Sequence, residues 1–277
     1  PLISENEGDQ AYVLWSYPKN SELEVLSDGT LERTEGAEDG IHIEHYSADA
    51  VFQDARIVER ELPLYGGSYC GTKYHFLVFG QSNHEQSDAA EVIRIVRYDA
   101  DWNRVDQVSL YGANTYEPFE AGCVRMVQEQ DMLYLRTSHK MYDDGDGKHH
   151  QANLTLAVHV TDDKMEIEYK NTGISNTKTG YVSHSFNQFI TSDGTNIIAA
   201  DHGDANPRAM VLFRYAGAAG NASMDNISNV CVLPIAGKIG ANRTNASLGG
   251  LQVSDSAYLV AGNSAEQTEE GSTSTVG

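Results

Sequence analysis

Basic residues are scarce in this sequence: 19 lysines and arginines stand against 40 aspartates and glutamates, a net charge of -21 over 277 residues. Such a surface repels phosphate backbones and anionic lipid heads, which excludes nucleic acid and membrane surfaces as main partners. Cysteine is scarce too. Cys70, Cys123 and Cys231 are odd in number, widely spaced and free of any CxxC pattern, so they support neither a disulfide framework nor a zinc knuckle. Unpaired thiols are expected. No apolar run approaches the roughly 18 to 20 residues of a spanning helix, so no membrane insertion is expected. The opening PLISENEGDQ lacks a basic-then-apolar signal.

Helical periodicity is also nearly missing. In its place come short β-branched and aromatic runs divided by Gly, Asn, Asp and Ser clusters, the pattern of an all-β chain. The runs recur in a fixed order. ELEVLS, TLERTEG, IHIEHYS and ARIVEREL are followed by SYC, YHFLVFG, VIRIVRY and RVDQVSL. GCVRMVQ, MLYLRTS, LTLAVHV and MEIEYK come next, then SFNQFIT, NIIAAD, AMVLFRY and NVCVLP. SDGT occurs at Ser27 to Thr30 and again at Ser192 to Thr195, with SDSA at Ser254 to Ala257, and Asp-Gly between alternating runs is a hairpin signal. A four-strand unit repeated about every 45 to 60 residues predicts a β-propeller, with a sandwich as the competing fold.

PLIS with AYVLWSY at the start, and SLGGLQV with AYLVAGN at the end, are left over. Blades completed by both termini remove open sheet edges, so these pairs are expected to close a fifth blade. Residues 1–263 then form one propeller domain and residues 264–277 a frayed polar tail.

FLVFGQSN, GYVSHSFNQF, DHGDANPR and YLVAGNS resemble a family of uncharacterised secreted or cell-surface bacterial β-propeller proteins, over most of the chain from about Leu31. The resemblance implies a fold and a location, secreted or on the cell surface, and no activity. In that family a run like AYVLWSY follows the YLVAGNS stretch, whereas here it precedes everything, so six blades remain open beside five.

If blade strands run outward from the centre, the loops from second to third strand and from blade to blade share one face. HKMYDDGDGKHHQAN, GQSNHEQSDAAE, DHGDANPR, YGANTYEPFEAG and GYVSHS all fall there, while the opposite turns are short and plain. The expected ligand-binding residues of this face are His139, His150, His184, Asn187, His202, Asp204 and Arg208. Asp144 and Asp146 around Gly145 resemble the start of a calcium loop, although an EF-hand would need Gly at His149 and Glu at Thr155. No other cofactor is expected. The histidines could bind a transition metal but lack HExxH spacing.

In DHGDANPR an internal pair between Arg208 and one of its aspartates, Asp201 or Asp204, would pin the loop; in SHSFNQF, strand alternation would put Phe186 and Gln188 on one side and Asn187 and Phe189 on the other. Five sequons, at Asn153, Asn221, Asn226, Asn242 and Asn245, matter only in a glycosylating pathway. The leading reading is an extracellular propeller that binds a glycan or protein through the loop-rich face. A carbohydrate-active hydrolase or lyase using acids such as Asp201, Asp204, Glu117 and Glu120 is the alternative, and a purely structural ring is the third.

Overall fold

The computed structural model describes residues 21–120, 122, 124–173, 185–203, 208–235, 246–267 and 273–276. Five antiparallel sheets follow one another along the chain. The first holds β1 (Ser21–Val25), β2 (Leu31–Ala37), β3 (Gly40–Tyr46) and β4 (Phe52–Val58); the second holds β5 (Leu64–Cys70), β6 (His75–Gly80), β7 (Glu91–Tyr98) and β8 (Arg104–Tyr111). The third is built from β9 (Glu117–Pro118), β10 (Arg125–Glu129), β11 (Met132–Lys140), β12 (Gln151–Val160) and β13 (Met165–Asn171). The fourth contains β14 (Ser185–Ser192), β15 (Ile197–Gly203), β16 (Ala209–Tyr215) and β17 (Ile227–Pro234), and the last β18 (Ser247–Val253), β19 (Tyr258–Gln267) and β20 (Thr273–Val276).

Apart from β9, which pairs with β11, the strands of each sheet pair in sequence order, and the innermost strand of each touches that of the next, from β1 through β5, β10 and β14 to β18. This is a β-propeller, with the first strands innermost. Period-two alternation explains how the blades stack. On β6, Phe76 and Val78 enter the core between the second and third blades, while Leu77 and Phe79 enter the core between the first and second. On β11, Leu133 and Leu135 face back to the second blade, whereas Met132 and Tyr134 face on to the fourth. Ala200, Met210, Ala246 and Leu248 fill the seam between the fourth and last blades. Middle strands are thus buried on both faces, which is why they read as continuous apolar runs.

The innermost strands share a feature that no run of residues announces. β5 shifts register between Tyr65 and Gly67, β14 between Phe186 and Phe189, and β18 between Leu248 and Gly250. In the third blade β9 and β10 both pair with β11. The register shifts of the three inner strands β5, β14 and β18 re-aim side chains around the ring centre. At Gly66 the shift also brings the next blade close, for a Cβ there would stand 2.7 Å from Val124 and 2.8 Å from Phe119.

The expected closure by PLIS and AYVLWSY lies outside the described residues. Leu23 and Val25 on the first blade and Leu259 on the last are exposed. In the segment expected to be a polar tail, Ser264 to Gln267 extend β19 and pair with β20. Cys70 ends the inner strand β5, Cys231 lies exposed on the outer β17, and both are free thiols. Cys123 is outside the described residues.

Candidate functional site

The ring centre is polar. Glu22, near the start of β1, accepts hydrogen bonds at Oε2 from the Ser68 backbone N–H (2.6 Å) and hydroxyl (2.9 Å) on β5. Its Oε1 meets Arg125 Nη1 of β10 at 2.8 Å, so one carboxylate joins three blades. The Arg125 guanidinium in turn lies 4.9 Å from the centroid of the Phe189 ring, on β14 of the fourth blade. Two residues along β1, Glu24 accepts the Cys70 backbone N–H at 3.0 Å. Burial raises the Glu24 carboxyl above its usual range, the Cys70 backbone bond opposes the rise, and the nearby Glu22 charge adds to it. These two glutamates cover N–H groups on the otherwise open inner edge of β5.

Between the third and fourth blades lies a dry ionic network. Arg136 and Asp201 are fully buried and joined twice, through Nε to Oδ1 at 2.9 Å and Nη2 to Oδ2. Thr155 Oγ1 and Tyr215 OH accept from Arg136 Nη1 at 2.8 and 2.7 Å, and Asn153 Nδ2 donates to Asp201 Oδ2 at 2.9 Å. This corrects one expectation: Asp201, one of the acids of the hydrolase alternative, is pinned to Arg136, and a carboxylate with no exposure cannot meet a substrate. Asn153, 1% exposed, is no acceptor for glycosylation in the folded chain.

Three of the loops expected to share a face, GQSNHEQSDAAE, YGANTYEPFEAG and HKMYDDGDGKHHQAN, touch one another, while most of GYVSHS and half of DHGDANPR lie outside the described residues. Asn83 N–H donates to the Tyr116 carbonyl, Tyr116 N–H to the Lys140 carbonyl, and Asp143 N–H to the Gln86 side chain, each within 2.8 Å. Tyr116 stacks on His149 at 3.6 Å and lies 5.0 Å from His84. Glu117 sits 3.7 Å from His84, and Glu120 2.9 Å from Lys140.

Within HKMYDDGDGKHHQAN, Asp143 is the turn former, its Oδ1 accepting from Gly145 and Gly147 N–H at 2.8 and 3.0 Å. Asp146 caps Lys148 N–H and meets His150 Nε2 at 2.8 Å. Asp144, Asp146 and His150 bring their donor atoms within 4.8 Å of one another. Two carboxylates are fewer oxygens than the six to eight that calcium takes, and the imidazole is a transition-metal donor.

The other expected ligand residues are divided. His139 is fully buried on β11, bonded to Thr115 Oγ1 at 2.8 Å, and burial lowers its pKa to about 4. His202 is 2% exposed on β15. Neither is open to a ligand in this conformation. Asn187 is half-buried at the β14 bulge with φ 52°, which breaks the expected alternation of Phe186, Asn187, Gln188 and Phe189. Arg208 is half-buried ahead of β16. His184 and Asp204 fall outside the described residues.

Glu22, Glu24 and Arg125 were missed. The available signal was ELEV, two acids at alternate positions of an innermost strand, and the lone arginine of GCVRMVQ.

No protein family matches this sequence, and no curated protein does. Three solved structures similar in shape are carbohydrate hydrolases. An α-L-arabinofuranosidase from Lactobacillus brevis aligns over 93% of this chain and 89% of its own, at 12% identity and a TM-score of 0.44. A glycoside hydrolase family 43 arabinoxylan arabinofuranohydrolase from Bacillus subtilis aligns over 82% of this chain and 52% of its own, at 8% identity and 0.41. An α-L-arabinanase from Cellvibrio cellulosa aligns over 92% and 76%, at 11% and 0.30.

Proposed function

We propose that the chain is a carbohydrate-active hydrolase working at the ring centre, and the observation that carries the reading is the Glu22–Glu24 pair. Residues two apart on a strand face the same way, roughly 6.6 to 6.8 Å apart along the backbone, so both carboxyls project from one side of β1. Inverting glycosidases work with two such carboxyls about 6.5 to 9.5 Å apart and a water between them. Arg125 and Ser68 fix Glu22: the two Ser68 bonds fill Oε2, and Oε1, with one bond from Arg125, keeps a lone pair for a water proton. Glu22 then serves as base, the water attacks the anomeric carbon, and Glu24 protonates the departing glycosidic oxygen as the C–O bond breaks. The loop-rich face, with Tyr116, His84 and His149, would hold the rest of the glycan.

The test is a panel of chromogenic aryl glycosides, arabinofuranosides included, with Glu22→Gln, Glu24→Gln and Arg125→Met variants. Hydrolysis with inversion at the anomeric carbon, falling at least 100-fold in both glutamine variants while circular dichroism stays native, supports the reading. Wild-type turnover untouched by Glu22→Gln overturns it.

A further inference from the structure

On the plain side of the ring, at the seam of the first two blades, three donors of different chemistry converge. Glu32 on β2, Cys70 at the end of β5 and His75 at the start of β6 place one ligand atom each within 4.8 Å of the others. Cys70 Sγ lies 2.9 Å from Glu32 Oε1, and His75 Nδ1 lies 3.9 Å from that same oxygen. The edges of a zinc tetrahedron with bonds of about 2.0 to 2.3 Å are roughly 3.3 to 3.8 Å, so small side-chain shifts suffice.

The surroundings orient these atoms. Glu32 is 2% exposed, and its other oxygen, Oε2, is taken by Trp102 Nε1 and His45 Nε2, both at 3.0 Å. Oε1 is thereby turned toward Cys70 and His75. His45 is itself held by Asp54 Oδ1 at 2.7 Å. The His75 ring stacks on Trp102 at 4.6 Å, nearly parallel, and hydrogen-bonds the Ala100 backbone. Its Nδ1 is buried with no hydrogen-bond partner among the described residues. A buried ring nitrogen facing a carboxylate oxygen and a thiol, with the ligands braced from behind, is how metal sites are built.

We infer that Glu32, Cys70 and His75 form a site for a divalent transition ion of the zinc class, which staples the first blade to the second. On binding, the Cys70 S–H bond breaks, a sulfur–metal bond forms and the proton leaves to solvent. Three protein donors leave a fourth position for water. Nitrogen and sulfur donors select against calcium and magnesium. The site is independent of the hydrolase reading.

The test uses the full chain, stripped with a chelator and titrated with Co2+. One equivalent should give the thiolate-to-cobalt charge-transfer band and the intense visible bands of four-coordinate cobalt, both erased by added Zn2+, and Zn2+ should raise the melting temperature. Cys70→Ser should abolish the charge-transfer band and His75→Gln should weaken binding, whereas Cys231→Ser should leave both unchanged. Trp102→Phe, which removes one of the two bonds to Glu32 Oε2, should weaken Co2+ roughly 10- to 100-fold. A wild-type titration without a charge-transfer band, or one that persists in natively folded Cys70→Ser, overturns the site. Because the readout is spectroscopic, it stands or falls whether or not any glycoside is cleaved.

Discussion

The Arg136–Asp201 pair and the Asp146–His150 pair each set a base against a carboxylate, and they differ in their access to water. The first has no exposure and three further hydrogen bonds from Asn153 and to Thr155 and Tyr215. In the second both side chains are about two-fifths exposed on a surface loop. Buried, each partner is needed because the other cannot be left unpaired; exposed, each can return to water at little cost. A polar cluster conspicuous in the sequence is therefore the loose one, and the rigid one is scattered over four strands.

The comparison breaks most sharply at Arg136. Arg136→Met should cost about 3 to 5 kcal/mol, because Asp201 is left as an uncompensated buried charge. A fall of roughly 6 to 20 °C in melting temperature follows. Arg136→Met with Asp201→Leu should recover most of that loss, and a double variant no better than the single would show that the network matters for more than its charges.

His139 offers a second measurement. Its pKa is about 4 in the fold, below the 6.5 of a free histidine, because burial disfavours the imidazolium. Only the unfolded chain takes up this proton between those values. Stability is therefore full above pH 6.5 and is lost as pH falls toward 4, by up to about 3 kcal/mol. Denaturant titrations should lose that component of slope in His139→Gln.

Gly66→Ala should cost about 1 to 3 kcal/mol, since the new Cβ meets Val124 and Phe119 where the bulge presses blades together. Urea midpoints will show it. The smallest effect belongs to the exposed loop: Asp146→Asn should not resolvably move the melting temperature. A large drop there would mean that the loop carries structure after all.

Strand identity was legible because each blade strand is a local pattern. IHIEHYS, YHFLVFG and MLYLRTS predict β3, β6 and β11 closely, and the meeting of the three described long loops followed from strand order alone. The site was less legible. His139 and His202 looked like loop residues because the turns begin beside them, yet β11 and β15 run through Lys140 and Gly203 and bury both rings. Alternation failed at Asn187 because a bulge inserts residues without a counterpart on the partner strand. Glu22, Glu24, Glu32 and Cys70 read as ordinary strand residues, since nothing nearby in the chain tells an acid facing solvent from one facing the next blade.

The sequence by itself determined the all-β class, the four-strand repeat, the hairpin turns and the order of blades. All of these depend on residues within a few positions of each other, where backbone preference and period-two burial act directly. Tertiary structure decided which charges meet. Glu22 finds Arg125 at 103 residues' separation, Glu32 finds Trp102 at 70, and Arg136 finds Asp201 at 65. Those meetings depend on how the blades pack and where the inner strands bulge, and a bulge of one residue exchanges the faces of every side chain beyond it.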